Sequence, residues 1–174
     1  MSKALVVFGS KYGSTAGLAE MVGSELRQAG FETDVVAARE IRSLIGYDLV
    51  IVGAGVYMGR WNGDALDFVK RFNADLRGRP TWFFSSGPTG GSAKAEQQMT
   101  EMLHSQPGPP GDAAKWATRI GIRGHQWFAG RITPDMGGIF ARWMPRGDWR
   151  DPAAIAAWTG LIAGDMREPV AAGR

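Results

Sequence analysis

A chain of 174 residues, 44% hydrophobic and 21% charged, is long enough to bury a full core as one domain, 1–174. It contains no cysteine, which excludes disulfides, thiolate metal sites and cysteine nucleophiles, so redox chemistry would have to come from a bound cofactor. Two histidines, His104 and His125, are too few and too far apart for a histidine-based metal site, and the net charge of +3 makes the surface mildly basic.

Ala4–Phe8 is a compact apolar run suited to a strand buried on both faces. Leu18, Val22 and Leu26 then recur at a spacing of four, which predicts a helix over Thr15–Ala29 that ends at Gly30. Thr33–Ala37 is short and β-branched, and Asp48–Val52 is another buried-type strand. Asp64 is placed to cap a helix carrying Leu66, Val69, Phe72 and Leu76. Thr81–Ser85 predicts a strand, Ser92 opens a helix through Met99, Met102 and Leu103, and Gln106–Gly111 is a surface loop. Gln126–Gly130 reads as the last strand. Asp151 followed by Pro152 is an N-cap with proline at the first helical position, opening a helix through Ile155, Trp158 and Ile162. Strands alternating with helices predict an α/β fold with a parallel sheet covered on both faces.

The opening residues carry no apolar signal region, and no run approaches the ~18 apolar residues of a membrane span. A cytoplasmic protein is expected, with no nucleic-acid partner. Basic residues gather between 101 and 150, where seven Lys/Arg face four Asp/Glu. That stretch reads either as a solvated face or as a docking face for something anionic.

Ligands of open α/β sheets bind at the carboxyl ends of strands. After the first strand comes Ser10-Lys11-Tyr12-Gly13-Ser14-Thr15. It offers hydroxyl donors, a glycine that lets the backbone approach a ligand, and the N–H groups and positive pole of the next helix. Either this is a phosphate cradle or it is a tight turn that caps a helix. A Walker A loop is excluded, because Ser14 stands where lysine is required. The dinucleotide fingerprint is missing from this loop, and the glycines after the later strand have the wrong last spacing. The paired acids of a phosphoacceptor receiver domain are absent from the end of the first strand. The loop Ala54–Gly63 adds Tyr57 and Trp61 among glycines, suited to stacking a flat heteroaromatic ring or simply to packing. Ser85–Ser92 is a third glycine and hydroxyl loop on the same edge. Together the three loops predict one pocket, with phosphate in the first and a ring between the second and third.

The sequence resembles the flavodoxin-like family over nearly its whole length, with Ser10–Thr15 similar to that family's FMN-phosphate loop. The resemblance implies a doubly wound, three-layer α/β sandwich with five parallel strands in the order 2-1-3-4-5. It implies FMN as cofactor. Ser10, Tyr12, Gly13, Ser14 and Thr15 would bind phosphate. Gly55, Val56, Tyr57 and Met58 would lie along the isoalloxazine with Trp61 as a lid, and Ser85, Ser86, Gly87 and Gly90 would close its other edge. Within the superfamily, Tyr47–Phe72, Phe83–Pro88, Phe128–Ile132 and Gly147–Trp158 are closest to the branch of menaquinone-dependent protoporphyrinogen dehydrogenases. That branch carries a long helical insertion after the last strand. The corresponding piece here, Gly137–Arg150, is short. Ile139, Phe140, Trp143 and Met144 fall near helical spacing in it, beside Arg142 and Arg146. This is either an amphipathic segment for peripheral contact with a membrane surface, a quinone or an acidic partner, or one that packs on the domain.

Three functions remain open from the sequence. The first is an FMN oxidoreductase of the protoporphyrinogen dehydrogenase type with a quinone acceptor. The second is a flavodoxin-type single-electron carrier between protein partners, which the positive charge argues against. The third is a module that has lost FMN and acts through contacts. His125 is a candidate proton donor or a structural histidine.

Overall fold

The computed structural model describes residues 1–11, 13–87, 108–132 and 147–168, together with Lys94, Gln97 and Glu101. Strands β1 (Lys3–Gly9), β2 (Glu32–Ala37), β3 (Leu49–Tyr57), β5 (Thr81–Gly87) and β6 (Gly124–Ala129) form a parallel sheet in the order β2-β1-β3-β5-β6. Counting these long strands alone, that is the expected 2-1-3-4-5 order. Two short additions are antiparallel. Strand β4 (Arg60–Trp61) folds back on the end of β3, and β7 (Arg131–Ile132) pairs with β8 (Gly147–Asp148) in a separate ribbon.

Helices cover both faces. Helix α1 (Ser14–Gln28) and α5 (Pro152–Arg167) pack on one, with Leu18, Val22, Leu26, Ile155, Trp158 and Ile162 buried against Val6, Ile51, Phe84 and Phe128. Helices α2 (Gly63–Arg71), α3 (Asn73–Arg77) and α4 (Asp112–Ile120) pack on the other, where Phe68, Leu76, Ala117 and Ile120 meet Leu5, Val7, Val52 and Phe83. Each large apolar side chain removed from water this way contributes roughly 1.5–3 kcal/mol. The alternation along β1, β3 and β5 sends neighbouring residues to opposite cores, which is why these strands are apolar throughout.

Several elements depart from the sequence expectation. The strand from Asp48 does not stop at Val52 but runs on to Tyr57, so much of the expected Ala54–Gly63 loop is a hairpin. Gly53 fits inside that strand because the Phe84 ring lies across it; a Cβ there would stand 2.0 Å from the ring. Helix α4 was not foreseen. Its apolar stripe, Ala113, Ala117 and Ile120, consists largely of alanine, a weak signal, although Gly121 at φ +75° closes it in the usual manner. The cap of α2 is Asn62, whose side chain accepts from the N–H groups of Asp64 and Ala65, while Asp64 sits in the first turn. The expected helix from Ser92 lies largely outside the described residues.

Candidate functional site

The parallel register brings three strand ends side by side. Gly9 of β1 pairs with Ala54 of β3, Gly55 of β3 with Ser86 of β5, and Gly87 of β5 with Ala129 of β6. The first loop therefore lies next to the β3–β4 hairpin, and the hairpin next to the end of β5. Gly9 has no room for a side chain, because a Cβ would stand 2.5 Å from Asn62 Oδ1, so the start of α2 abuts the end of β1.

The first loop turns into α1 through Gly13, at φ +84°. Its N–H donates to Ser10 Oγ at 2.8 Å, and its carbonyl accepts from Gly17. No side chain caps α1, and its first turn has no acidic residue. The remaining first-turn N–H groups lack helical partners by geometry, and the pole of the helix is left positive. Ser14 Oγ accepts the backbone N–H of Arg131 at 2.8 Å, and Thr15 is buried with its hydroxyl against β3, 3.1 Å from where a Cβ of Gly55 would be. Among the described residues nothing lies within 4 Å of where a Cβ of Gly13 would stand. Tyr12 and Gly90 lie outside the described residues.

The hairpin turns at Met58, φ +49°, and Gly59, φ +71°, and is closed by Asn62 N–H donating to Gly55 O at 2.8 Å. Tyr57 is 49% exposed and Met58 86% exposed, so both side chains stand at the mouth of the loops. The Lys11 ammonium lies 5.3 Å from the Tyr57 ring centroid and links the first loop to the second. Val56 and Gly55 are half-buried behind them.

Trp61 is not a lid. It is 6% exposed, its ring is 4.8 Å from that of Phe83, and its indole N–H donates to Ser85 Oγ at 2.8 Å. The return of the chain through β4 turns this ring into the core, whereas a loop would have left it outside. Ser85 likewise does not lie on an open rim: it is fully buried, and its hydroxyl also meets His125 Nε2 at 2.8 Å. His125 stands edge-on to Trp127, 5.4 Å between ring centroids. Ser86, on the opposite face of β5, is buried, and Gly87 ends the strand half-buried.

Behind the first loop sits a charged pair. Arg150 holds Asp148 through its guanidinium, and this keeps the Asp148 carboxyl at about 2, well below the usual carboxylate value. Sequence reasoning missed Asn62, although Asn before Gly-Asp is a cap signature. It also missed the Arg131 contact, which is made by a backbone amide and leaves no trace in residue type. Of the proposed membrane-contact segment 137–150, only Gly147–Arg150 are described, as β8 and the turn after it. Among the described residues no helix is long and apolar enough to cross a membrane, and no cluster suits a metal ion.

Comparison with known proteins places this geometry. The family described as Flavodoxin domain matches residues 5–144. Protoporphyrinogen IX dehydrogenase (quinone) of Escherichia coli K12 is 31% identical over 85 residues, so the match spans about half of each protein, 48% of this chain and 47% of the relative. Among solved structures, a flavodoxin from the domain Archaea superposes with a TM-score of 0.59 at 15% identity, over 95% of this chain and 99% of that one. Oxidised flavodoxin 1 from Bacillus cereus gives 0.58 at 16%, over 97% and 100%. Rubredoxin oxygen:oxidoreductase of Desulfovibrio gigas gives 0.62 at 13%, over 99% of this chain but 38% of that one. At these identities the structural likeness concerns the fold alone.

Proposed function

The chain belongs to the flavodoxin domain family, and from that premise we propose that it is an FMN-dependent oxidoreductase that passes electrons from a reduced organic substrate to a quinone. The whole chain, 1–174, acts as one FMN-binding unit. The observation that carries this reading is the start of α1: an uncapped helix end without acidic residues, behind a glycine turn whose Cβ position no described residue approaches within 4 Å. Such an end is suited to a phosphate dianion.

FMN, when bound, supplies the electron-carrying ring; the protein binds, orients and tunes it. Ser10 fixes the turn by accepting the Gly13 N–H, which leaves the N–H groups of Ser14, Thr15 and Ala16 to the phosphate. Gly55, Val56, Tyr57 and Met58 present backbone groups and the exposed Tyr57 ring to a flat cofactor, with Ser86 and Gly87 at the neighbouring strand end. Lys11, against Tyr57, places a positive charge at the mouth. Trp61 and Ser85 support the hairpin from within the core rather than touching the ring. The porphyrinogen and quinone specificity rests on the relative in E. coli, matched over about half its length.

The test is to saturate the purified protein with FMN, remove the excess, and record the visible spectrum. One flavin per chain, followed by anaerobic oxidation of protoporphyrinogen with a menaquinone analogue as acceptor, is the expected result. A stoichiometric flavin without small-molecule turnover would shift the reading to a carrier between proteins. A colourless protein would overturn it.

A further inference from the structure

The hydroxyl of Ser14 has its partner 117 residues away in the chain, the backbone N–H of Arg131 at 2.8 Å. Arg131 begins β7, separated from the end of β6 by Gly130 alone. A second contact lies further along the first turns of α1. A Cβ on Gly17 would stand 3.0 Å from the Arg150 guanidinium, so that side chain lies against the helix where glycine leaves room. Arg150 is in turn held by Asp148, through its backbone N–H at 3.1 Å and its Nε at 2.8 Å, both to Oδ1. The N–H of Trp149 donates to Gly130 O at 3.2 Å, which ties the residues after β8 to the end of β6. The β7–β8 ribbon and its flanks are therefore one small unit, fastened to the helix start that forms the first loop.

The electrostatics point the same way. A guanidinium beside the positive pole of a helix is unfavourable by itself. The Asp148 carboxylate offsets it, and an anion in the loop would offset it further. A hydroxyl oxygen that accepts from Arg131 still has its own proton to donate.

We infer that Ser14 is a positioning residue that joins the phosphate loop to the β7–β8 ribbon, so that an anion in the loop and order in the ribbon strengthen each other. This rests on the reading that the FMN phosphate occupies that loop. The oxygen of Ser14 serves Arg131, and its proton is what the side chain offers the anion. The coupling is reciprocal: what steadies the ribbon tightens the ligand.

The test is hydrogen–deuterium exchange on the full chain, for wild type, Ser14→Ala and Ser14→Thr, each with and without FMN. Without ligand, Ser14→Ala is expected to speed exchange about 3- to 10-fold at Gly130–Ile132 and Gly147–Arg150, the loss of one hydrogen bond. Ser14→Thr, which keeps an acceptor oxygen, restores it. Unchanged exchange in the middle of α5 shows that the fold is intact. FMN slows exchange in the wild-type ribbon; in Ser14→Ala it binds about 3- to 10-fold more weakly and leaves the ribbon unprotected. A ribbon in Ser14→Ala that exchanges as in wild type, or that FMN protects equally, would overturn the inference while leaving FMN binding standing. A wild type that takes up no FMN would overturn the coupling together with the proposed function, and the ligand-free comparison would still decide whether Ser14 holds the ribbon.

Discussion

Helices α1 and α5 lie side by side on one face of the sheet, and they begin in opposite ways. At α5, Asp151 accepts from the N–H groups of Ala153 and Ala154 at 3.0 and 3.2 Å, and Pro152 occupies the first turn, where its missing N–H costs nothing. At α1 the corresponding position is Gly13, without a side chain to cap anything. Both helices bury an apolar stripe, so both are held by packing. The difference lies in what the ends are for. The α5 end is completed by its own sequence. The α1 end has no side-chain cap, which in the proposed reading leaves its donors to an anion, and packing through Leu18, Val22 and Leu26 makes an uncapped end tolerable.

The sharpest way to break this contrast is to give α1 an acid like that of α5. Gly13→Asp is expected to lower FMN affinity on the order of 100-fold, by placing a carboxylate where the phosphate would sit. Its melting temperature without ligand should fall by a few degrees, because φ +84° strains any side chain there, while an acid at a helix start offsets part of that cost. Flavin fluorescence titration and thermal melting read the two effects; retained affinity would place the phosphate elsewhere. The reciprocal change, Asp151→Ala, should cost about 1 kcal/mol in urea unfolding and leave FMN affinity unchanged. Equal losses from both helix ends would abolish the distinction. Ser10→Ala removes the acceptor of the Gly13 N–H, and is expected to weaken FMN binding about 3- to 10-fold with little change in stability, since the bond is exposed.

The smallest effect concerns acid. Asp148 titrates at about 2 in the folded protein because Arg150 holds its charged form. Its contribution is therefore complete above the ordinary carboxylate value of about 4 and is lost as pH falls through about 2. Asp148→Asn should flatten the part of the melting-temperature loss that this carboxyl adds between pH 4 and 2. The carboxylate is half exposed, so the change will be small. An unaltered pH profile would remove Asp148 from the acid response.

The strands of a parallel sheet could be read from the sequence because each central strand is an apolar run and α5 announces itself through Asp151-Pro152, while their order followed from the family resemblance alone. The turn of the first loop from strand into helix was legible because small and hydroxylic residues suit such a junction; its use as a phosphate cradle is a proposal. The hairpin was misread because glycines usually break strands. Gly53 and Gly55 instead make way for Phe84 and Thr15, a requirement imposed by residues distant in the chain. Trp61 followed from the same error, since its side chain turns inward once β4 pairs with β3, whereas Ser85 is buried because β5 runs on through it to Gly87. The Ser14–Arg131 bond could not be read at all, because a backbone amide has no residue type.

The placement of α5 has a consequence for how the chain is made. The face built from α2, α3 and α4 has its covering helices in place by residue 120. Among the described residues, α1 alone covers the opposite face until residues 152–167 emerge, although Phe84 and Phe128, which α5 covers through Trp158, have been synthesised earlier. The contacts of Trp158 with Phe84 and Phe128 are therefore among the last of the core to be made.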